Sequence, residues 1–384
     1  MNLKSTDTSK EFQNTSKIYL NNASVSLLPI SSINAMRNFL LEYNEKGPDS
    51  IDSDVLIFEK FRSIRRLVSK LIKCDPEEVV LTQSTTDGVN IVANGLMFSQ
   101  NSNIIIRGME HEHHANYYPW LRLSKKLTVK NLKVDETGFF EINELCNLID
   151  KNTKVVALSH ALYNTGAILP VEEVGEILEK TSTPYFLDTA QTIGCIGDFD
   201  VSKTRCDFMA FNGSKWLCGP MGTGIFYCNK ESSDLLEPQQ VGGESIMIYD
   251  QNKIAYKDLP DKFQSGFRNY VGIAGLESSI TYLMQYGLQN IRQKVIKLAN
   301  LLHAELSKLD DITLYGPQKE EKRTSIVSFT IHNQDPQIVV EKLEKQKIVL
   351  AVREIWNKKI IRASPHFFNT EEEILRVVEA IKNL

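Results

Sequence analysis

The chain has 384 residues, more than one small core accommodates and enough for two domains. Its 44 Lys and Arg stand against 48 Asp and Glu, with no like-charged block of the kind a nucleic acid or an anionic membrane selects. No apolar run is long enough to cross a bilayer, the first residues lack the apolar centre of a secretion signal, and the six cysteines form no CxxC pair. This argues against a disulfide framework or a zinc knot and fits a reducing cytoplasm.

Residues 1–17 are polar and are expected to form a mobile arm. Ile18 to Ser24 reads as a short strand entering a loop. Ser31 to Glu42 and Phe58 to Ile72 carry helical periodicity, with Leu67, Val68, Leu71 and Ile72 on one face. Val79 to Thr82 reads as a strand, followed by Gln83-Ser84-Thr85-Thr86-Asp87-Gly88 and a helix over 89–96. Hydroxyl residues at a helix start offer donors to an anion, and equally serve as ordinary N-caps.

Asn103 to Gly108 reads as a strand leading into Glu110-His111-Glu112-His113-His114-Ala115-Asn116. Three histidines in four positions suggest a metal. Adjacent side chains diverge, however, and no fourth ligand accompanies them, so no metal site is expected. His111 and His114 read as solvated or helix-capping residues. Lys154 to His160 is a further strand, and Val171 to Lys180 a helix.

The stretch Tyr185 to Tyr227 carries the most chemistry. It reads as strand, loop, strand, turn, strand. Tyr185-Phe186-Leu187 ends in Asp188, with Gln191 three residues on. Phe208 to Phe211 delivers Asn212-Gly213-Ser214-Lys215. The turn Gly219-Pro220-Met221-Gly222-Thr223-Gly224 leads into Ile225-Phe226-Tyr227. An acid and a lysine at the carboxyl ends of apolar strands sit where open α/β sheets bind ligands. An aldehyde cofactor held as a Schiff base requires a lysine, and a buried acid requires a cationic partner. Pyridoxal phosphate supplies both the aldehyde and the protonated ring nitrogen. Alternating strands and helices from Val79 to Tyr227 imply a largely parallel sheet covered on both faces. Helices over 273–286 and 288–309 then lead to strands 326–331 and 348–352 and helices 336–346 and 371–384.

Asp-x-x-Gln, Ser-Lys and Gly-Pro-x-Gly-x-Gly together resemble the class V aminotransferases of pyridoxal phosphate fold type I. That family includes cysteine desulfurases, isopenicillin N epimerase and kynureninase. The resemblance runs from about Ile18 to the end. It implies an α/β fold, with a large domain over 18–270 built on a mostly parallel seven-stranded sheet, then a helical connection and a small α+β domain over 271–384. It implies pyridoxal 5′-phosphate on Lys215, with Asp188 at the ring nitrogen, Gln191 at the ring oxygen and His113 stacked on the ring, where it can relay a proton. The Thr85-Thr86 run, which includes Asn90, and Ser214 would hold the phosphate. The asparagine that the family places near the ring oxygen is replaced by Tyr163, with Asn164 beside it. Asn164 is the candidate contact, and Tyr163 stays open. A segment like that around Asn22 lies over the substrate in the family. A homodimer is implied, because a glycine turn reaches the neighbouring subunit's phosphate. Phe267 stands where threonine is usual there, which makes Arg268 the candidate.

Near the end stand Arg353 and Ile361-Arg362-Ala363-Ser364. An arginine at a strand end suits capture of a substrate α-carboxylate, and the resemblance assigns this to Arg362. An amino acid is the implied substrate. Desulfurases carry a nucleophilic cysteine on the loop between these two arginines. Here that connection is Glu354-Ile355-Trp356-Asn357-Lys358-Lys359-Ile360-Ile361, without cysteine. Cys218, near Lys215 in sequence, reads as buried packing. Elimination of a sulfur substituent, transamination and racemisation all remain open, with carbon–sulfur cleavage without a persulfide cysteine in front. A catalytically silent scaffold is disfavoured by the intact set of Asp188, Gln191, Lys215 and Arg362.

Overall fold

Short runs of Val, Ile, Leu and Phe build the central sheet. The computed structural model describes residues 8–12, 16–250 and 253–384. The strands are β1 Val79–Thr82, β2 Asn103–Arg107, β3 Thr128–Leu132, β4 Thr153–Ser159, β5 Tyr185–Asp188, β6 Phe208–Asn212 and β7 Gly224–Cys228. They lie in the order β1-β7-β6-β5-β4-β2-β3. Successive residues of one strand bury in opposite layers: Phe186, Phe208 and Phe226 on one face, Leu187, Met209 and Ile225 on the other. A strand apolar on both sides needs cover on both sides, and helices provide it.

β7 runs antiparallel to both β1 and β6, whereas the other neighbours are parallel. The segment from Gly213 to Thr223 is too short to hold a crossover helix, so the chain turns back beside β6. Each parallel strand ends at the same edge. That edge therefore collects the segments after β2, β4, β5 and β6, together with the start of helix Thr85–Gly95.

A second sheet follows: β8 Ile312–Tyr315, β9 Val327–Ile331, β10 Ala351–Ile355 and β11 Lys358–Ala363, antiparallel in the order β8-β9-β11-β10. Helices Leu288–Leu306, Pro336–Lys345 and Glu371–Lys382 supply its apolar cover. The segment Ile18–Tyr19 pairs in parallel with Ile348–Val349, and Ile18 and Leu20 bury in this second core. Phe12 and Ala23, on either side of this segment, bury in the core of the first sheet, so the start of the chain bridges the two parts.

Several elements differ from expectation. The second helix begins at Ile51 rather than Phe58, because Ser50 and Ser53 form a reciprocal capping box ahead of it. The helix after β1 starts at Thr85 rather than 89, since Ser84 accepts from the Asp87 N–H. The stretch after Val241, to which the sequence reading assigns no strand, contains a hairpin of Ile246–Asp250 and Lys253–Tyr256. Of the expected mobile arm, residues 1–7 and 13–15 lie outside the described residues. Phe12 is packed: its ring is buried and stacks on Phe368 at 4.2 Å.

Candidate active site

The common strand edge opens into a cavity of about 290 Å³ between the two sheets. Its wall includes Thr85, Thr86, His113, Tyr163, Asp188, Gln191 and Lys215 from the first part, and Arg353 and Arg362 from the second. Residues spread over nearly three hundred positions meet because β-strand ends and the hairpin β10–β11 face each other here.

Asp188 ends β5, and one carboxylate oxygen accepts from the Ala190 N–H at 2.8 Å. Burial disfavours its charge and pushes its pKa up to about 7, with Lys215 as the nearby cation that opposes the rise. Lys215 follows β6. Burial lowers its pKa to about 8; Asp188 opposes this, and Arg362 and Arg353 add to it. Its ammonium makes no hydrogen bond or ion pair among the described residues. An amine that is half-neutral at about pH 8, and already partly neutral at pH 7, suits attack on a carbonyl.

His113 lies at the cavity wall with its ring edge-on to Tyr163 at 4.9 Å and 84°. Its Nδ1 accepts from the Ala115 N–H at 3.1 Å, which assigns the ring proton to Nε2. Burial, with Lys215 nearby, lowers its pKa to about 3. In this arrangement the neutral ring presents its Nε2 donor and a flat face.

At the other end, Thr85 and Thr86 open the helix Thr85–Gly95. The Thr85 hydroxyl is buried without a partner, as is the Asn212 Oδ1. Free N–H groups of a helix start and orphaned hydroxyls are what a phosphate group satisfies. Arg362, fully buried on β11, donates to the Tyr163 carbonyl at 2.6 Å and the Ser24 hydroxyl at 2.6 Å, and leaves Nε without a partner. Arg353 on β10 donates to the same Ser24 hydroxyl. A lysine, a buried acid, a helix start with an unsatisfied hydroxyl and two convergent arginines fit a phosphorylated pyridine aldehyde together with a carboxylate-bearing partner.

Other expected residues fall differently. Asn164 is not in the wall: its side-chain N–H donates to the Glu354 carbonyl at 3.0 Å, and Tyr163 occupies the wall instead. Asn22 is buried and donates to the Ser364 carbonyl at 2.8 Å, while its side-chain oxygen accepts from Ser26; it fixes the loop, and its neighbour Ser24 reaches the cavity. The Ser214 hydroxyl lies 3.4 Å from the Asn212 amide, and Asn212, not Ser214, is in the wall. Gln191 is in the wall, yet it donates to the Ala23 carbonyl and accepts from the Trp216 indole, which leaves one amide hydrogen for a ligand. Arg268 donates to Gln264 and lines a separate cleft with Asn90 and Phe267.

The three histidines diverge. His113 faces the cavity, and His114 is exposed and stacked on Tyr118. His111, expected to be solvated or helix-capping, is fully buried and accepts from the Trp356 indole N–H at 3.0 Å. Burial and the nearby Arg107 lower its pKa to about 4. Trp356 and Asn357 are the two-residue turn between β10 and β11, with φ of 50° and 61°. A two-residue hairpin of this kind needs positive φ at both positions, which a tryptophan adopts only against steric resistance.

Sequence reasoning missed Ser24, Ser159 and Asn212 as wall residues. Serine and asparagine carry no signal apart from their position on a strand end or loop. Cys218 is buried outside the wall, 3.4 Å from both Ser26 and His366, and burial pushes its thiol up to about 12.

The sequence model of the family described as aminotransferase class-V matches residues 18–377. A Methanothermobacter thermautotrophicus protein named "probable cysteine desulfurase" is 32% identical over 96% of this chain and 94% of its own. The apo structure of a cysteine desulfurase from Thermococcus onnurineus superposes with a TM-score of 0.91 at 28% identity, covering 100% of this chain and 98% of that one. A cystine C–S lyase, solved with its reaction product cysteine persulfide, superposes with a TM-score of 0.88 at 25% identity over 96% of this chain and 98% of that one.

Proposed function

The chain belongs to the class V aminotransferase family of pyridoxal-phosphate-dependent enzymes, and on that premise we propose that it breaks the Cβ–S bond of cysteine or its disulfide by elimination. The reading is carried by one observation. The segment between Arg353 and Arg362 is a tight hairpin with Trp356-Asn357 at its tip, and it holds no cysteine. Transfer of sulfur to an enzyme thiol requires that thiol at the substrate sulfur. The cystine C–S lyase of similar fold gives the reading a second support.

The bound cofactor supplies an electrophilic aldehyde and an electron sink for the substrate's α-carbon. Lys215 would hold that aldehyde, and its freed amine would take the Cα proton of the substrate. Asp188 keeps a proton on the ring nitrogen. Its burial among apolar strands strengthens that pairing, because water does not compete. The start of helix Thr85–Gly95 holds the phosphate, and the flat face of His113 excludes water from the ring. Arg362 and Arg353 orient the substrate carboxylate. The Cβ–S bonding electrons leave with sulfur, as sulfide from cysteine or as a persulfide from cystine. The three-carbon remainder ends as pyruvate and ammonia after addition of water.

The deciding experiment gives the cofactor-loaded protein L-cysteine with reductant and, separately, L-cystine without it, and identifies the carbon product by mass spectrometry. Pyruvate is the expected product. Alanine with sulfide would overturn elimination, and an α-keto acid retaining the sulfur would place the enzyme among the transaminases.

The same reading includes a homodimer. Arg268 and Asn90 line a cleft apart from this chain's own cavity, as residues that serve a second copy would. The hairpin over 246–256 exposes Met247, Ile248, Tyr249 and Ile254, and a second copy is the apolar cover we assign to it. Light scattering at micromolar protein should give twice the chain mass. Among the described residues no helix is long and apolar enough to cross a membrane, and the cysteines are free, which supports a cytoplasmic site.

A further inference from the structure

The hairpin β10–β11 carries both arginines, yet its strands belong to the second sheet while the cavity is built on the first. Something has to fix one against the other. Three contacts do so, each to a turn that follows a strand of the first sheet. Arg362 donates to the Tyr163 carbonyl at 2.6 Å. Asn164 donates to the Glu354 carbonyl on β10 at 3.0 Å. Trp356, at the tip, donates to His111 Nε2 at 3.0 Å.

Two of these contacts come from neighbouring side chains, because Asn164 lies beside the His111 imidazole. With Nε2 accepting, neutral His111 carries its proton on Nδ1. That Nδ1 and the Asn164 Oδ1 are both buried without a hydrogen-bond partner. Trp356 at the tip and Glu354, two residues earlier in the hairpin, are thus held by adjacent side chains, His111 and Asn164. The indole contact explains why a tryptophan occupies a left-handed position, where glycine or asparagine is the unstrained choice. It also explains why His111 is buried although it takes no part in the cavity wall.

We infer that Trp356, His111 and Asn164 form a clamp that positions Arg353 and Arg362 for the substrate carboxylate. The tip is pinned to the large sheet by an indole, where a longer connection would be free to move. None of the three is a catalytic residue. Each acts through the arginines, so the clamp rests on the proposal that Arg353 and Arg362 bind the carboxylate.

The test uses the cofactor-loaded protein and separates the two claims. Binding of 3-mercaptopropionate, which keeps the carboxylate and thiol of cysteine but lacks the amine, is measured by calorimetry beside steady-state kinetics. Trp356→Phe keeps the ring and removes the N–H; His111→Leu removes the acceptor; His111→Gln keeps both an acceptor and a donor. The clamp requires that Trp356→Phe and His111→Leu each weaken analogue binding and raise KM by roughly five- to tenfold, the effect of one lost buried hydrogen bond, with kcat and the cofactor absorbance little changed. It requires that His111→Gln recover most of the loss. A fall in kcat with unchanged KM, or His111→Gln behaving like His111→Leu, would overturn it. Arg362→Gln serves as the reference. If it leaves analogue binding intact, the carboxylate reading fails and the clamp with it; if it abolishes binding while Trp356→Phe does not alter it, only the clamp fails.

Discussion

Arg353 and Arg362 donate to one and the same acceptor, the hydroxyl of Ser24. Two guanidinium groups are thereby held side by side at the cavity wall, and burial, with Arg353 adding to it, lowers the affinity of Arg362 for its proton. A buried pair of like charges is costly, and a carboxylate entering between them relieves that cost. Arg362→Gln should therefore lower kcat/KM by about 2–4 kcal/mol, roughly thirty- to a thousandfold, mostly through KM. Arg353→Gln should cost less, because Arg353 is the more exposed of the two. Steady-state kinetics with the two variants checks both the size and the order.

The depressed pKa of Lys215 makes a claim about cofactor capture. The amine attacks in its neutral form, so the rate at which apo-protein takes up pyridoxal phosphate should rise with pH up to about 8 and then level off. Stopped-flow absorbance on loading gives the profile. An exposed lysine would go on gaining rate to well above pH 9, and that outcome would show that burial does not activate this residue. Lys215→Ala should show no aldimine absorbance at any pH.

The polarity and spacing of Asp188, Gln191 and Lys215 were legible because strand ends are easy to recognise: an apolar run stops at a charged residue. The sheet was legible for the same reason, since a strand buried on both faces reads as an unbroken apolar run. Tyr163 rather than Asn164, and Ser24 rather than Asn22, line the cavity, because adjacent residues diverge in the first case and the path of a turn, which no sequence pattern displays, decides the second. His111 was invisible as a buried residue, for its partner Trp356 lies 245 positions away. The antiparallel β7 followed from the length of a connection, a signal that was present but outweighed by the strand–helix alternation before it.

Cysteine chemistry offers a sharp negative. Cys218 is the cysteine nearest Lys215 in sequence, but it is buried, enclosed by Ser26 and His366, and its thiol stays protonated across the physiological range. Cys218→Ala should keep carbon–sulfur cleavage at a sizeable fraction of the wild-type rate while losing about 1 kcal/mol of stability from the small cavity left behind. The checks are product assay and urea denaturation of the same preparation. Loss of turnover with intact folding and an intact cofactor spectrum would make Cys218 a participant after all.

Asp188 sets function against stability. Its folded pKa of about 7 lies above the ordinary 3.8, so between those values the folded protein binds more protons than the unfolded one. Stability of the apo-protein contributed by this group is therefore intact below about pH 4 and is lost as pH rises toward 7. Asp188→Asn preserves an acceptor for the Ala190 N–H and has no charge to desolvate. At pH 8 the apo-variant should be more stable than the wild type by roughly 1–3 kcal/mol, and at pH 4 the two should be nearly equal. With cofactor bound the order should reverse or the gap should close, because the carboxylate then has the ring nitrogen as a cationic partner, and the variant's turnover should collapse for lack of that charge. Urea denaturation of apo- and cofactor-loaded protein at both pH values tests this. An apo wild type as stable as the variant at pH 8 would mean that Lys215 already compensates the buried carboxylate, and that the site stores no electrostatic cost for the cofactor to relieve.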